Sequence, residues 1–142
     1  MKSKGKGDRH LVWFEQAKYD LEAAEVSKQN QFYEWACFQS EQAVEKGLKG
    51  VLVQAGWRPP KMHKLAVLMS YCNKSNAQFR KTKFEFRDLE VFTFIARYPF
   101  LLPGENSSPH KFITLEDAEK CINQARIFLR KILKLLDVSM TV

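Results

Sequence analysis

The stretch that decides the fold is YEWACFQSEQAVEKGLKGVL, residues 33–52. Its small residues Ala36, Ser40, Ala43, Gly47 and Gly50 recur at steps of three and four, the spacing of one helix face. A stripe of small side chains lets a neighbouring helix come close. Each glycine inside a helix costs about 1 kcal/mol relative to alanine, so two on one stripe imply a packing reason. The helix is expected over about residues 32–55, with Gly56 as its C-terminal stop.

Working outward, Leu11, Phe14, Ala17, Leu21 and Ala24 form an apolar face at the same spacing, behind Asp8 as a cap. Gln29, Asn30 and Gln31 separate this helix from the next. On the other side, Trp57-Arg58-Pro59-Pro60 reads as a rigid turn. A short helix is expected from His63 to about Tyr71, then a polar loop at 73–76. A further helix from Gln78 or Phe84 runs to Arg97, where Pro99 forbids continuation. The connection 98–113 is long for a compact domain, and such length is usually functional. The last helix opens at Thr114, with Asp117 completing a variant capping box. Leu115, Ala118, Ile122, Ala125, Leu129, Ile132 and Leu136 mark its face. No strand pattern competes. The expected fold is all-α: an up-and-down bundle of four long helices and one short one over residues 8–138, between tails 1–7 and 139–142.

The chain has 142 residues and a net charge of +7. Lys2, Lys4, Lys6 and Arg9, offset by Asp8, place three of those charges in the first ten residues. A Lys/Gly tail of this kind is a solvated end more often than a nucleic-acid arm, so nucleic acid is not the expected partner. Cys37, Cys72 and Cys121 are widely spaced and odd in number, which argues against a disulfide framework and for a reducing compartment. No apolar run reaches membrane-spanning length and no signal-like segment opens the chain, so a cytoplasmic location is expected.

Motifs for chemistry are sparse. His10, His63 and His110 show no ligand spacing with one another or with the cysteines, so no metal is expected. There is no phosphate-cradling glycine loop and no recognisable nucleophile context. Glu34, Glu41 and Glu45 lie on the second helix, and Glu45 stands four residues before Lys49, the arrangement of a solvated ion pair.

Several segments, taken together, resemble the HEPN domain family. They are the 33–52 helix, the WFEQAKYDLEAA of the first helix, KMHKLAVL at the third, and ARYP at the end of the fourth. The further run R-Y-P-x-L-L-P, with Pro109 and Phe112, looks most like the sacsin type of HEPN domain, found at the end of a very large co-chaperone. The resemblance spans about residues 13–136. It implies a helical bundle that dimerises. Many family members are metal-independent ribonucleases with an Arg-x(4–6)-His motif, while others are non-catalytic and bind nucleotides or partner proteins.

Arg97 is the counterpart of the ribonuclease arginine. The residues at the required spacing are Leu102, Pro103 and Gly104, and none can serve as acid or base. His110 is thirteen residues away. Arg58 and His63 have the literal spacing but lie across the Trp57 turn. The expectation is therefore a protein that is not an enzyme, with no cofactor and a purine nucleotide (GTP or ATP) as ligand. Arg97, Tyr98, Lys46, Lys49 and Lys111 are the candidate ligand contacts, in a basic cleft. Arg97 keeps two readings, a charge against the helix C-terminus and an anion contact. Trp35, Phe38, Phe100, Leu101 and Leu102 are candidates for a homodimer interface. The sacsin-like match adds neighbouring chaperone domains in a longer chain as possible partners. The alternatives are an RNA-directed ribonuclease or toxin component using His63 or His110, and a pure interaction module.

Overall fold

The computed structural model describes residues 8–98 and 108–142. Among them are seven helices and no strand: α1 (Arg9–Gln29), α2 (Tyr33–Gln54), α3 (Leu65–Ser75), α4 (Ala77–Lys81), α5 (Arg87–Arg97), α6 (Pro109–Phe112) and α7 (Leu115–Leu135). Phe100, Leu101 and Leu102 lie outside the described residues. None of the described helices is long and apolar enough to cross a membrane.

Helix α2 is the centre of the bundle. It packs against α1, α3, α5 and α7. Residue pairs across the α1–α2 contact run in opposite directions, from Trp13–Lys49 through Asp20–Lys46 to Ser27–Gln39, so the two helices are antiparallel. The tight reversal between them is made possible by Gln31, which adopts φ +68°. Against α7 the pairs run the same way, from Cys37 with Asp117 to Gly47 with Phe128. Helix α5 opposes α7, with Phe86 on Phe128 and Asp88 on Gln124. The four thus alternate in direction, the up-and-down arrangement expected.

The glycine stripe has the packing reason its spacing implied. A Cβ at Gly50 would stand 2.5 Å from Phe14 Cε1, and one at Gly47 would stand 2.8 Å from Phe128 Cε1. Both rings are fully buried, so helix propensity is given up for ring-to-backbone contact. Gly56 closes α2 with φ +96°, a conformation glycine adopts without strain. The Thr114–Asp117 capping box forms reciprocally at the start of α7.

Four features differ from the sequence expectation. The fourth helix is split: residues 82–86 leave helical geometry so that Phe84 and Phe86 pack with Phe79 and Phe128. Burial of the Phe86 ring and partial burial of the Phe84 ring outweigh helix continuity there. The third helix starts at Leu65 and runs on to Ser75, while Asn76 accepts from the Phe79 amide and caps α4. Asp8 precedes α1 without a side-chain capping bond. Leu115, placed on the core face of α7 by its spacing, is exposed, because it is the first residue of that helix and lies ahead of the contact with α2.

Candidate functional site

The face of α2 that carries Phe38, Glu41, Glu45 and Lys49 has steps of three, four and four, so these four side chains form one line. That line faces α5 at one end and the segment before α3 at the other. Arg97, the last residue of α5, lays its guanidinium over the Phe38 ring at 5.0 Å and places Nη2 3.4 Å from Glu41 Oε1. One turn along α2, Glu45 receives Lys49 Nζ at 3.3 Å and His63 Nδ1 at 3.2 Å. Lys49 also lies 6.0 Å from the Trp13 ring centroid.

Glu41 and Glu45 are both buried, as is Lys49. The Glu45–Lys49 pair is therefore not the solvated surface pair its spacing indicated. The same i to i+4 spacing fits either a wet or a dry face, and α1 covers this one. Burial pushes the Glu41 carboxyl above the usual carboxylate range. Arg97 and the Thr93 hydroxyl pull it down, while Glu45 and Glu90 push it up further.

The five candidate ligand contacts do not gather into one basic cleft. Lys46 turns towards α1 and pairs with Asp20. Lys49 is held under Trp13 by Glu45. Arg97 remains substantially exposed at the end of α5, with Tyr98 next to it. Lys111 stands exposed on α6, which packs against both α5 and α2. Three of the five share one end of the bundle.

Beside Arg97 lies an exposed aromatic face. Trp35, 55% exposed, meets Phe38 edge-to-face at 5.9 Å. On α5, Val91, Phe94 and Tyr98 form an outward stripe, with Phe94 and Tyr98 at 4.9 Å. Of these, Trp35 and Phe38 were legible as interface candidates. Phe94 was missed, although its spacing to Val91 and Tyr98 marks a second apolar face on an amphipathic helix. The pairings of His63 with Glu45 and of Arg97 with Glu41 were also missed, since contacts at separations of 18 and 56 residues leave no periodic trace.

A family model for the HEPN domain matches residues 10–136. No curated protein matches the chain. Solved structures are similar as well, two of them over most of the chain. One is TT1696 from Thermus thermophilus, 24% identical with a TM-score of 0.72, the match covering 89% of this chain and 98% of that one. The other is ST0689, an archaeal HEPN homologue, 28% identical with a TM-score of 0.59 over 89% of this chain and 97% of that one. With nearly the whole bundle matched in sequence and its arrangement shared by these structures, the chain belongs to the HEPN domain family.

Proposed function

We propose that this chain is a non-catalytic HEPN domain that self-associates through its aromatic face and binds an anionic ligand, a purine nucleotide, at the Arg97 end of α5. The observation that carries the reading is Arg97 itself: a half-exposed guanidinium on the Phe38 ring, with Tyr98 adjacent and, among the described residues, only a long ion pair, to Glu41. A guanidinium fork suits phosphate oxygens, and an aromatic neighbour suits a base. Trp35, Phe94 and Tyr98 supply the apolar area a second copy would cover. The absence of histidine four to six places after Arg97 supports a non-catalytic role, and R-Y-P-x-L-L-P supports a sacsin-like module beside chaperone domains.

Calorimetric titration of GTP and ATP tests the ligand, with Arg97→Ala as the variant. Heat that disappears in the variant is expected; no heat at millimolar nucleotide overturns the ligand claim. Sedimentation of the parent and of Trp35→Ser/Phe94→Ser tests self-association, and an unchanged mass overturns the assigned face.

A second reading has one observation in its favour. His63 contacts the buried Glu45 carboxylate, an arrangement that orients an imidazole for acid–base work, one helical turn from the Glu41 that holds Arg97. Cleavage of RNA in the presence of EDTA, lost in both Arg97→Ala and His63→Ala, would establish a ribonuclease instead.

A further inference from the structure

We propose that Glu41 is a built-in counter-ion that competes with the anionic ligand for Arg97, so that anion binding is coupled to uptake of one proton by Glu41. This rests on Arg97 as the anion contact. The geometry behind it is a mismatch in burial across one ion pair. The Glu41 side chain is 9% exposed and that of Arg97 39% exposed, so the cation can turn to solvent while the carboxylate cannot follow.

The charges around Glu41 come from every element that packs there. On α5, Arg97 attracts it and Glu90 repels it. On α2 it is repelled by Glu45, whose own charge is engaged by Lys49 and His63. Helix α1 contributes Asp20, whose charge is matched by Lys46 of α2. Helix α7 presents Asp117, tied into its capping box, and α6 carries His110, which contacts Ser108, and Lys111. Among the described residues, Arg97 is thus the cation in direct contact with Glu41.

An anion that occupies the guanidinium leaves Glu41 buried near two other carboxylates. The Thr93 hydroxyl, shared with the Cys37 carbonyl at 3.4 Å, is a weak substitute. An uncompensated buried carboxylate relieves this by taking a proton from solvent. Arginine does not titrate in this range, so the proton goes to Glu41. Binding then tightens as pH falls, by up to about tenfold per pH unit while one proton is taken up per anion bound.

Sulfate is the probe, because its charge is constant between about pH 5 and pH 8. Its affinity is read by NMR shifts of the Arg97 side chain in the parent chain and in Glu41→Gln. The parent is expected to bind more weakly as pH rises. The variant is expected to bind independently of pH and about tenfold or more tighter at pH 7.5. In the parent itself, carbon-13 titration of the Glu41 carboxyl is expected to move to higher pH when sulfate is added, which needs no variant to fold. Sulfate binding that is lost in Arg97→Ala, yet equally pH-dependent in the parent and Glu41→Gln, overturns the coupling and leaves the anion site standing. Absence of binding in both proteins at every pH overturns the site and the coupling together.

Discussion

His63 closes over the buried carboxylate of Glu45, its Nδ1 3.3 Å and 3.2 Å from the two oxygens, while Lys49 Nζ reaches the same carboxylate from inside the bundle. Among the described residues the carboxylate therefore has two polar partners, whereas Lys49 has this one carboxylate and the face of the Trp13 ring. Glu45→Ala strands a buried ammonium and is expected to destabilise the fold by about 3–5 kcal/mol. Lys49→Met leaves Glu45 with His63 and replaces the stem with a similar volume, so its effect is expected to be clearly smaller. Urea unfolding of the two variants checks the asymmetry; equal losses would show that His63 does not serve the carboxylate.

Glu41 makes the opposite kind of prediction. Burial holds its carboxyl above the ordinary carboxylate range despite Arg97, so the folded chain binds that proton more tightly than the unfolded chain does. The associated stability is present below the unfolded value near 4.5 and is lost as pH rises through the folded value. Glu41→Gln removes the dependence. It is expected to melt above the parent at neutral pH, with the gap narrowing as pH falls towards 4.5. Thermal unfolding across pH 4 to 8 measures the gap, and a variant less stable than the parent at neutral pH refutes the account.

Gly50→Ala gains roughly 1 kcal/mol of helix propensity. It also drives a methyl to 2.5 Å from Phe14 Cε1 in a ring that is fully buried. Overpacking of this kind typically costs about 1–3 kcal/mol. The net expectation is destabilisation, read as a lower urea midpoint with unchanged slope. Pairing it with Phe14→Leu should restore part of the loss relative to Phe14→Leu alone, because the clashing ring edge is gone.

All three cysteines are buried and free. Burial pushes the Cys72 thiol up to about 12, and contact with Cys37 together with burial raises Cys121. A thiol reacts as its thiolate, so neither should react in the native state near pH 8. Iodoacetamide labelling is expected to proceed at the rate of global opening and to be complete only in denaturant. Fast native labelling of Cys72 would contradict the burial.

How much of this was legible depends on the range over which each feature acts. The capping box at Thr114 and Asp117 and the stop at Gly56 are set by neighbours within a few positions, and the glycine stripe shows in the spacing of α2 alone. Periodicity and spacing therefore found them, although the facing rings of Phe14 and Phe128 come from distant helices. The break at 82–86 escaped, because its cause is Phe128, more than forty residues away. The same holds for the candidate site. Arg97 was conspicuous as a cation at a helix end before proline. Its counter-ion was not, since Glu41 had the look of any surface carboxylate on an amphipathic helix.

By itself, then, the sequence determined an all-helical bundle, the elements that build it, and the family motifs they carry. Only the tertiary structure decided which charges are wet and which are dry. Helical spacing puts Phe38, Glu41, Glu45 and Lys49 on one line, but the packing of α1 and α5 on α2 makes that line an interior seam. Burial converts an ordinary ion pair at Glu45 into a structural one, and leaves Arg97 at the rim with a carboxylate that cannot follow it into water.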